Sequence, residues 1–137
     1  MQDCIFCKIV KKEIPCEKIY EDEVVFAFLD INPVNIGHTL IIPKEHYENI
    51  FELPEDVAIH IMKITRKISS AIKKSGADGI NISINNGKAA GQVVFHSHTH
   101  VIPRFIGDNL PLWPARTAKE GELKEIAKKI IAALARP

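Results

Sequence analysis

The chain has 137 residues, is 46% hydrophobic and carries a formal net charge of +1. That is enough chain for one domain with its own core. The near-neutral balance argues against strong nucleic-acid binding while leaving room for a local phosphate site. No apolar run reaches bilayer length and no signal-peptide-like segment opens the sequence. A cytoplasmic setting without membrane contact is therefore expected, and Cys4, Cys7 and Cys16 read as ligands or free thiols before disulfides.

In chain order, Cys4 to Val10 reads as a short helix or turn bearing a thiol pair. Lys18 to Tyr20 and Val24 to Leu29 are β-prone runs around Glu21-Asp22-Glu23, a hairpin pattern. Asp30 to Gly37 is rich in turn formers and predicts a loop, after which Thr39 to Ile42 is a short apolar strand stopping at Pro43. The clearest helix spans about Glu55 to Ser75. Val57, Ile61, Ile64, Ile68 and Ile72 fall on one helical face, with Pro54 before and Gly76 after. Ile80 to Ile84 predicts a strand, Asn85 to Gly91 a glycine-bearing loop, and Val93 to Ile102 a second strand ended by Pro103. Gly107 to Ala118 looks irregular. Leu123, Ile126, Ile130 and Leu134 mark a C-terminal helix supported by Glu120–Lys124 and Glu125–Lys129, and this helix is expected to cover the core or a sheet edge. No repeat or linker divides the chain. The expected class is α+β, an antiparallel sheet with one long helix across it.

His96, His98 and His100 alternate with Ser97 and Thr99. On a strand this alternation puts three imidazoles on one face, together with Val94 and Ile102. Imidazoles in an apolar strand need hydrogen bonds, metal or substrate. Their pKa near neutrality suits phosphate chemistry: a neutral ring can attack phosphorus, and a protonated one can stabilise its charge. Ordinary satisfied core histidines, or adventitious metal binding, are the plainer alternatives. His60, in the long helix, has no assigned role.

The run His96-Ser97-His98-Thr99-His100-Val101-Ile102 resembles the H-φ-H-φ-H-φ-φ signature of the histidine-triad (HIT) family, although Ser97 and Thr99 are less apolar than that pattern. Asp30-Ile31, the block Gly37 to His46, Asn85 and the pair Gly91-Gln92 follow in the family's order. The resemblance is closest to the histidine-triad nucleotide-binding (Hint-like) branch and its zinc-bearing prokaryotic relatives. It implies a HIT-like fold, an antiparallel half-barrel sheet with one long helix plus a C-terminal helix. One domain would fill residues 1–137, with a core at about 4–105 and a C-terminal extension at about 106–137, and two copies would pair as a homodimer.

The implied function is a nucleotide-binding phosphohydrolase acting at the α-phosphate of a phosphoramidate, dinucleoside polyphosphate or adenylylated substrate through a nucleotidyl-histidine intermediate. A nucleotidyltransferase using the same intermediate, a non-catalytic nucleotide sensor and a purely metal-binding module are the alternatives. By position, the resemblance makes His98 the nucleophile. His100 would hold a non-bridging phosphate oxygen, His38 would orient the triad, and Asn85 would lie near the scissile bond. Backbone donors around Gly91 and Gln92 would form a phosphate cradle. Asp30 matches a ribose-binding acid, with Ile31 beside it; a turn role is the alternative. Ile5, Phe6, Ile9, Phe28 and Leu40 match an apolar pocket for the base of a purine nucleotide such as AMP or GMP, and ordinary core packing is the alternative for each. Val93 stands where many relatives carry a phosphate-bonding Ser or Thr.

Cys4-x-x-Cys7 is a two-ligand start for tetrahedral zinc, or else an inert reduced pair. The resemblance to zinc-bearing relatives adds His46 and His96 as the remaining ligands of a structural zinc, and leaves Cys16 an incidental thiol.

Overall fold

The computed structural model describes residues 3–137; Met1 and Gln2, at the start of the single-domain span, lie outside the described residues. The elements in chain order are α1 (Ile5–Val10), β1 (Lys18–Glu21), β2 (Val25–Leu29), β3 (Thr39–Pro43), α2 (Glu55–Lys74), β4 (Gly79–Ile84), β5 (Thr99–Arg104) and α3 (Glu122–Leu134). The five strands form one open antiparallel sheet in the order β1-β2-β3-β5-β4. This is the α+β architecture expected, with one long helix across the sheet and a further helix at the C-terminus.

β2 and β3 read as unbroken apolar runs because both faces of the sheet are covered there. On one face Val25, Ala27, Ile41 and Val101 pack against Ile61, Ile64 and Ile68 of α2. On the other, Phe26, Phe28, Leu40 and Ile42 pack against Phe6 and Ile9 of α1. The periodic isoleucines of α2 are therefore core residues. The hairpin between β1 and β2 turns on Asp22, whose Oδ1 accepts the amides of Val24 at 2.8 Å and Val25 at 2.9 Å. Its Oδ2 lies 2.7 Å from Nε2 of His60 and accepts from the Tyr20 hydroxyl at 2.9 Å. His60 thus ties α2 to the hairpin.

Two expectations need correction. The strand expected over Val93–Ile102 forms only from Thr99 and runs on through Pro103 to Arg104. Ladder partners exist on both sides only from Thr99, which faces Ile41 of β3 and Ile84 of β4; beyond Ile84 the neighbouring chain turns away. Upstream, the amide of Ser97 donates to Tyr47 O at 2.7 Å, in the loop after β3. Pro103 is tolerated because pairing with β3 ends at Val101. Its carbonyl points to that open side, where Asn35 Nδ2 donates to it at 2.9 Å, so its missing N–H removes no ladder bond. His96 and His98 therefore precede the strand, and the three rings do not form one row on a pleated face.

The C-terminal helix also departs from expectation. α3 buries no residue of its own and covers neither core nor edge, leaving Leu123, Ile126, Ile130, Ile131 and Leu134 exposed. Of its expected pairs, Glu125–Lys129 forms at 3.9 Å.

Candidate functional site

The triad side of the sheet is the face that α1 covers. In β5, Thr99, Val101 and Pro103 are buried, while His100, Ile102 and Arg104 alternate on the half-buried side. His98 lies just before the strand, 8% exposed, with its ring 4.9 Å from that of His100 and edge-on to Phe6 at 5.2 Å.

Backbone groups decide which nitrogens carry protons. The amide of Val34 can only donate, and it donates to His38 Nδ1 at 3.1 Å. A neutral His38 then carries its proton on Nε2 and donates it to His100 Nδ1 at 2.9 Å. That in turn places the proton of a neutral His100 on Nε2, a buried atom without a partner among the described residues. His98 obeys the opposite logic. Its Nδ1 donates to the carbonyl of His96 at 2.7 Å, so its Nε2 keeps a bare lone pair. Burial lowers the pKa of all three rings, with His100 brought to about 4 by desolvation first and then by His98 and His38. The rings are neutral at physiological pH, as these tautomers require. The site thus sets a nucleophilic nitrogen beside an unpartnered N–H donor.

A cleft of about 730 Å³ opens along this face, lined among others by His38, His100, Asn85, Gly91, Ser83 and Arg104. Its far wall is Leu110 to Pro114, which includes Trp113. Sequence reasoning missed this wall. Its signal is an apolar Leu-Pro-Leu-Trp-Pro run that fits neither strand nor helix period.

Asp30 serves a turn at the margin of the triad. Oδ1 accepts the amide of Asn32 at 2.9 Å in a local turn, while Oδ2 lies 3.8 Å from His38 Nε2. Gly91 adopts φ +85°, a conformation that favours glycine, and holds the chain close to Asn85. The cradle expected from amides around Gly91 and Gln92 needs correction. The Gly91 amide donates to Lys88 O at 3.0 Å and the Gln92 amide to Gly87 O at 3.1 Å, so both serve the tight turn at Lys88–Ala90. The Gln92 side chain is likewise structural: it accepts from the Gly87 amide at 2.8 Å and donates to Glu48 O at 2.6 Å. Of the apolar candidates, Phe6, Ile9, Phe28 and Leu40 belong to one buried cluster. Ile5 is 45% exposed, Ile31 87% and Val93 85%.

A second cluster lies directly behind the triad. Cys4, Cys7, His46 and His96 each bring one ligand atom, and all four atoms lie within 4.8 Å of one another. Sγ of Cys4 is 3.4 Å from His96 Nδ1, Sγ of Cys7 is 3.4 Å from His46 Nδ1 and 3.6 Å from His96 Nδ1. Zinc–sulfur and zinc–nitrogen bonds of about 2.3 and 2.0–2.1 Å give a tetrahedral edge of roughly 3.6 Å, which these spacings match. His96 Nε2–H donates to Pro43 O at 2.8 Å, leaving Nδ1 free to ligate. Burial first, and then the neighbouring His46 and His98, bring the His96 pKa to about 4, so the ring is neutral as a ligand must be. The four residues could hold a metal ion. Cys16 packs at the margin of the α1 cluster, outside this set.

Residues 11–107 match the HIT domain family. The chain is 40% identical over 130 residues to the adenosine 5'-monophosphoramidase hnt1 of Schizosaccharomyces pombe, covering 93% of this chain and 95% of that one. Among solved structures, it is similar to a protein of Streptococcus mutans UA159, with a TM-score of 0.91 and 43% identity over 98% of this chain and 87% of the other. It is also similar to a zinc-bound histidine triad family protein from Mycobacterium smegmatis, with a TM-score of 0.78 and 39% identity over 97% and 96% of the two chains. No helix among the described residues is long and apolar enough to cross a membrane.

Proposed function

Because the chain belongs to the HIT domain family, we propose that it is a nucleotide hydrolase that works at the α-phosphate of a purine nucleotide derivative through a covalent intermediate on His98. The observation that carries this reading is the pair of opposed tautomers: His98 Nε2 is bare while His100 Nε2–H lacks a partner, on rings 4.9 Å apart. A phosphate seated between them is attacked by the first and hydrogen-bonded by the second.

As the His98 Nε2–phosphorus bond forms, the bond from phosphorus to the leaving group breaks, and water then cleaves the nucleotidyl-histidine to release the nucleoside monophosphate. His100 donates to a non-bridging oxygen, whose charge grows in the transition state. His38 holds His100 in the donating tautomer. Asn85 lies on the cleft wall within reach of the scissile bond, and Asp30 keeps Oδ2 for the ribose hydroxyls. Ile5 and Ile31 offer exposed apolar surface for the base, with Phe6, Ile9, Phe28 and Leu40 as the buried floor behind it. Gly91 supports the phosphate side by shape, Gln92 by bracing the loop, and Val93 leaves that side without a hydroxyl donor. The similarity to a phosphoramidase supports a phosphoramidate such as an AMP derivative as substrate.

Cys4, Cys7, His46 and His96 hold a zinc ion in this reading, supported by their spacing and by the zinc-bound relative. Four protein ligands would leave a zinc ion no open position for substrate, so its contribution would be structural. The protein works in the cytoplasm as a homodimer.

The test is His98→Asn, assayed with an adenosine phosphoramidate. Turnover falls at least about 1,000-fold, as expected when a covalent nucleophile is removed, while AMP binding measured by calorimetry persists. Undiminished turnover eliminates His98 as nucleophile.

A further inference from the structure

The amide that fixes the His38 tautomer belongs to a loop with few ties of its own. Ile31, Val34 and Ile36, in the connection between β2 and β3, are exposed and belong to neither core cluster. Inside the loop the Asn32 amide donates to Asp30 Oδ1 and the His38 amide to Asn35 O. These bonds close the turn on itself and leave its seat on the sheet open. At one end Gly37 brings the chain against Pro103, where a Cβ would lie 3.3 Å from the proline ring. Among the described residues, the hydrogen bonds that join residues 31–37 to any segment outside 30–39 come from one side chain, Asn35.

Asn35 Nδ2 donates to Pro103 O at 2.9 Å and to Asp108 Oδ2 at 3.2 Å. Both acceptors are held in place. Pro103 is buried in β5. Asp108 takes Arg104 in a two-point pair, Nε to Oδ2 at 2.8 Å and Nη2 to Oδ1 at 3.0 Å, and accepts the amides of Phe105 and Leu110. Arg104 is anchored in turn, its Nη1 donating to Asn81 Oδ1 of β4 at 2.7 Å. Arg104 first, and then the two amides, hold the Asp108 carboxyl well below the usual carboxylate range, so it stays an acceptor at neutral pH. A rigid polar strut on β4 and β5 thus ends at the residue next to Val34.

We propose that Asn35 is a positioning residue: pinned to Pro103 O and Asp108, it holds the Val34 amide on His38 Nδ1 and thereby keeps the proton of His100 on Nε2, facing the phosphate. This rests on the reading of His100 as phosphate donor and His98 as nucleophile. Without the tie the loop lifts, and Nδ1 of His38 meets water, which accepts as readily as it donates. His38 then takes a proton on Nδ1 from solvent, the shared proton passes from His38 Nε2 to His100 Nδ1, and His100 releases its Nε2 proton to solvent. Net charge is unchanged. Nε2 of His100 becomes a bare lone pair facing a phosphate oxygen, and the donor of the transition state is gone.

The experiment compares the full chain with Asn35→Ala, both labelled with ¹⁵N-histidine, at about pH 7.5, where the rings are neutral. Long-range proton–nitrogen spectra read the tautomers of His38 and His100 in the folded population. Single-turnover labelling of His98 by an adenosine phosphoramidate is followed at saturating substrate. The wild type shows His38 and His100 each as one Nε2–H form. Asn35→Ala adds the Nδ1–H form of both rings together, and labelling slows by about twofold or more, in step with the share of His100 lost from the donating form. Ile36→Ala, an exposed change in the same loop, leaves spectrum and rate as they are. Unchanged tautomers in Asn35→Ala overturn the proposal, whether or not labelling slows. Mixed tautomers with an undiminished rate support the positioning of His38 and refute His100 as the phosphate donor. A wild type that shows both Nε2–H forms and never labels at His98 refutes the nucleophile, and the tautomer comparison still decides the role of Asn35. Should Asn35→Ala fail to fold, Asn35→Asp, which keeps the size and sets a carboxylate against both acceptors, is read in the same way.

Discussion

Acidification should destabilise this fold through His100, and replacing that residue isolates the effect. Protonating folded His100 sets an Nδ1–H against the Nε2–H of His38, which cannot change tautomer because the Val34 amide occupies its other nitrogen. It also charges a desolvated ring beside His98, opposed only by the attraction of Asp30. The folded pKa is brought to about 4 from an ordinary 6.5. Between these values the unfolded chain binds a proton that the folded chain rejects, so stability is fully present above about pH 6.5 and falls as the pH drops toward about 4. At about 1.4 kcal/mol per pH unit the full window is worth on the order of 3 kcal/mol. Urea unfolding of the wild type and of His100→Gln, which cannot ionise, gives the comparison. Between about pH 7.5 and about pH 4.5 the wild type should lose about 2 kcal/mol more than the variant. His38, His98 and the Cys4–Cys7–His46–His96 cluster are present in both chains and largely cancel. Parallel pH curves would refute the claim that a neutral His100 is built into the fold.

Two other substitutions probe separate parts of the molecule. His60→Ala removes the 2.7 Å contact with Asp22; it should cost about 1–2 kcal/mol in a thermal melt and leave turnover unchanged, and a loss of turnover at full stability would contradict its assignment as an anchor. Val93→Ser adds a hydroxyl at an exposed position where the resemblance to the family expects a phosphate-bonding Ser or Thr. It should raise kcat/KM for a phosphoramidate by up to about tenfold, the worth of one hydrogen bond of about 1.4 kcal/mol, with little change in stability; a slower enzyme would show that the phosphate is held elsewhere.

Much of the fold was legible because local pattern and global burial agree. The isoleucines of α2 recur at helical spacing and meet the sheet, and the apolar runs of β2 and β3 lie between two covering layers. The set of four candidate metal ligands followed from a short thiol spacing joined by the family resemblance to two distant histidines, and the structure brings all four together. The start of β5 was not legible. Val93 to His98 has strand-like composition, yet a strand needs neighbours, and the ladder partners begin only at Thr99. α3 shows the complementary failure: its apolar stripe predicts a helix correctly, but periodicity does not say whether the same chain offers a surface to bury it.

Residue types and spacings by themselves determined which groups could do chemistry here: alternating imidazoles, a thiol pair, an acid at a turn and a glycine in a tight loop. Tertiary structure decided what each group does. Whether a ring nitrogen is bare or protonated depends on the Val34 amide, the His96 carbonyl and the His38 ring, which reach their targets only after the strands are paired. A hydrogen-bond donor supplied from across the sheet leaves no trace in the local sequence, so the proton positions that leave one histidine a bare nitrogen and its neighbour a free N–H belong to the fold.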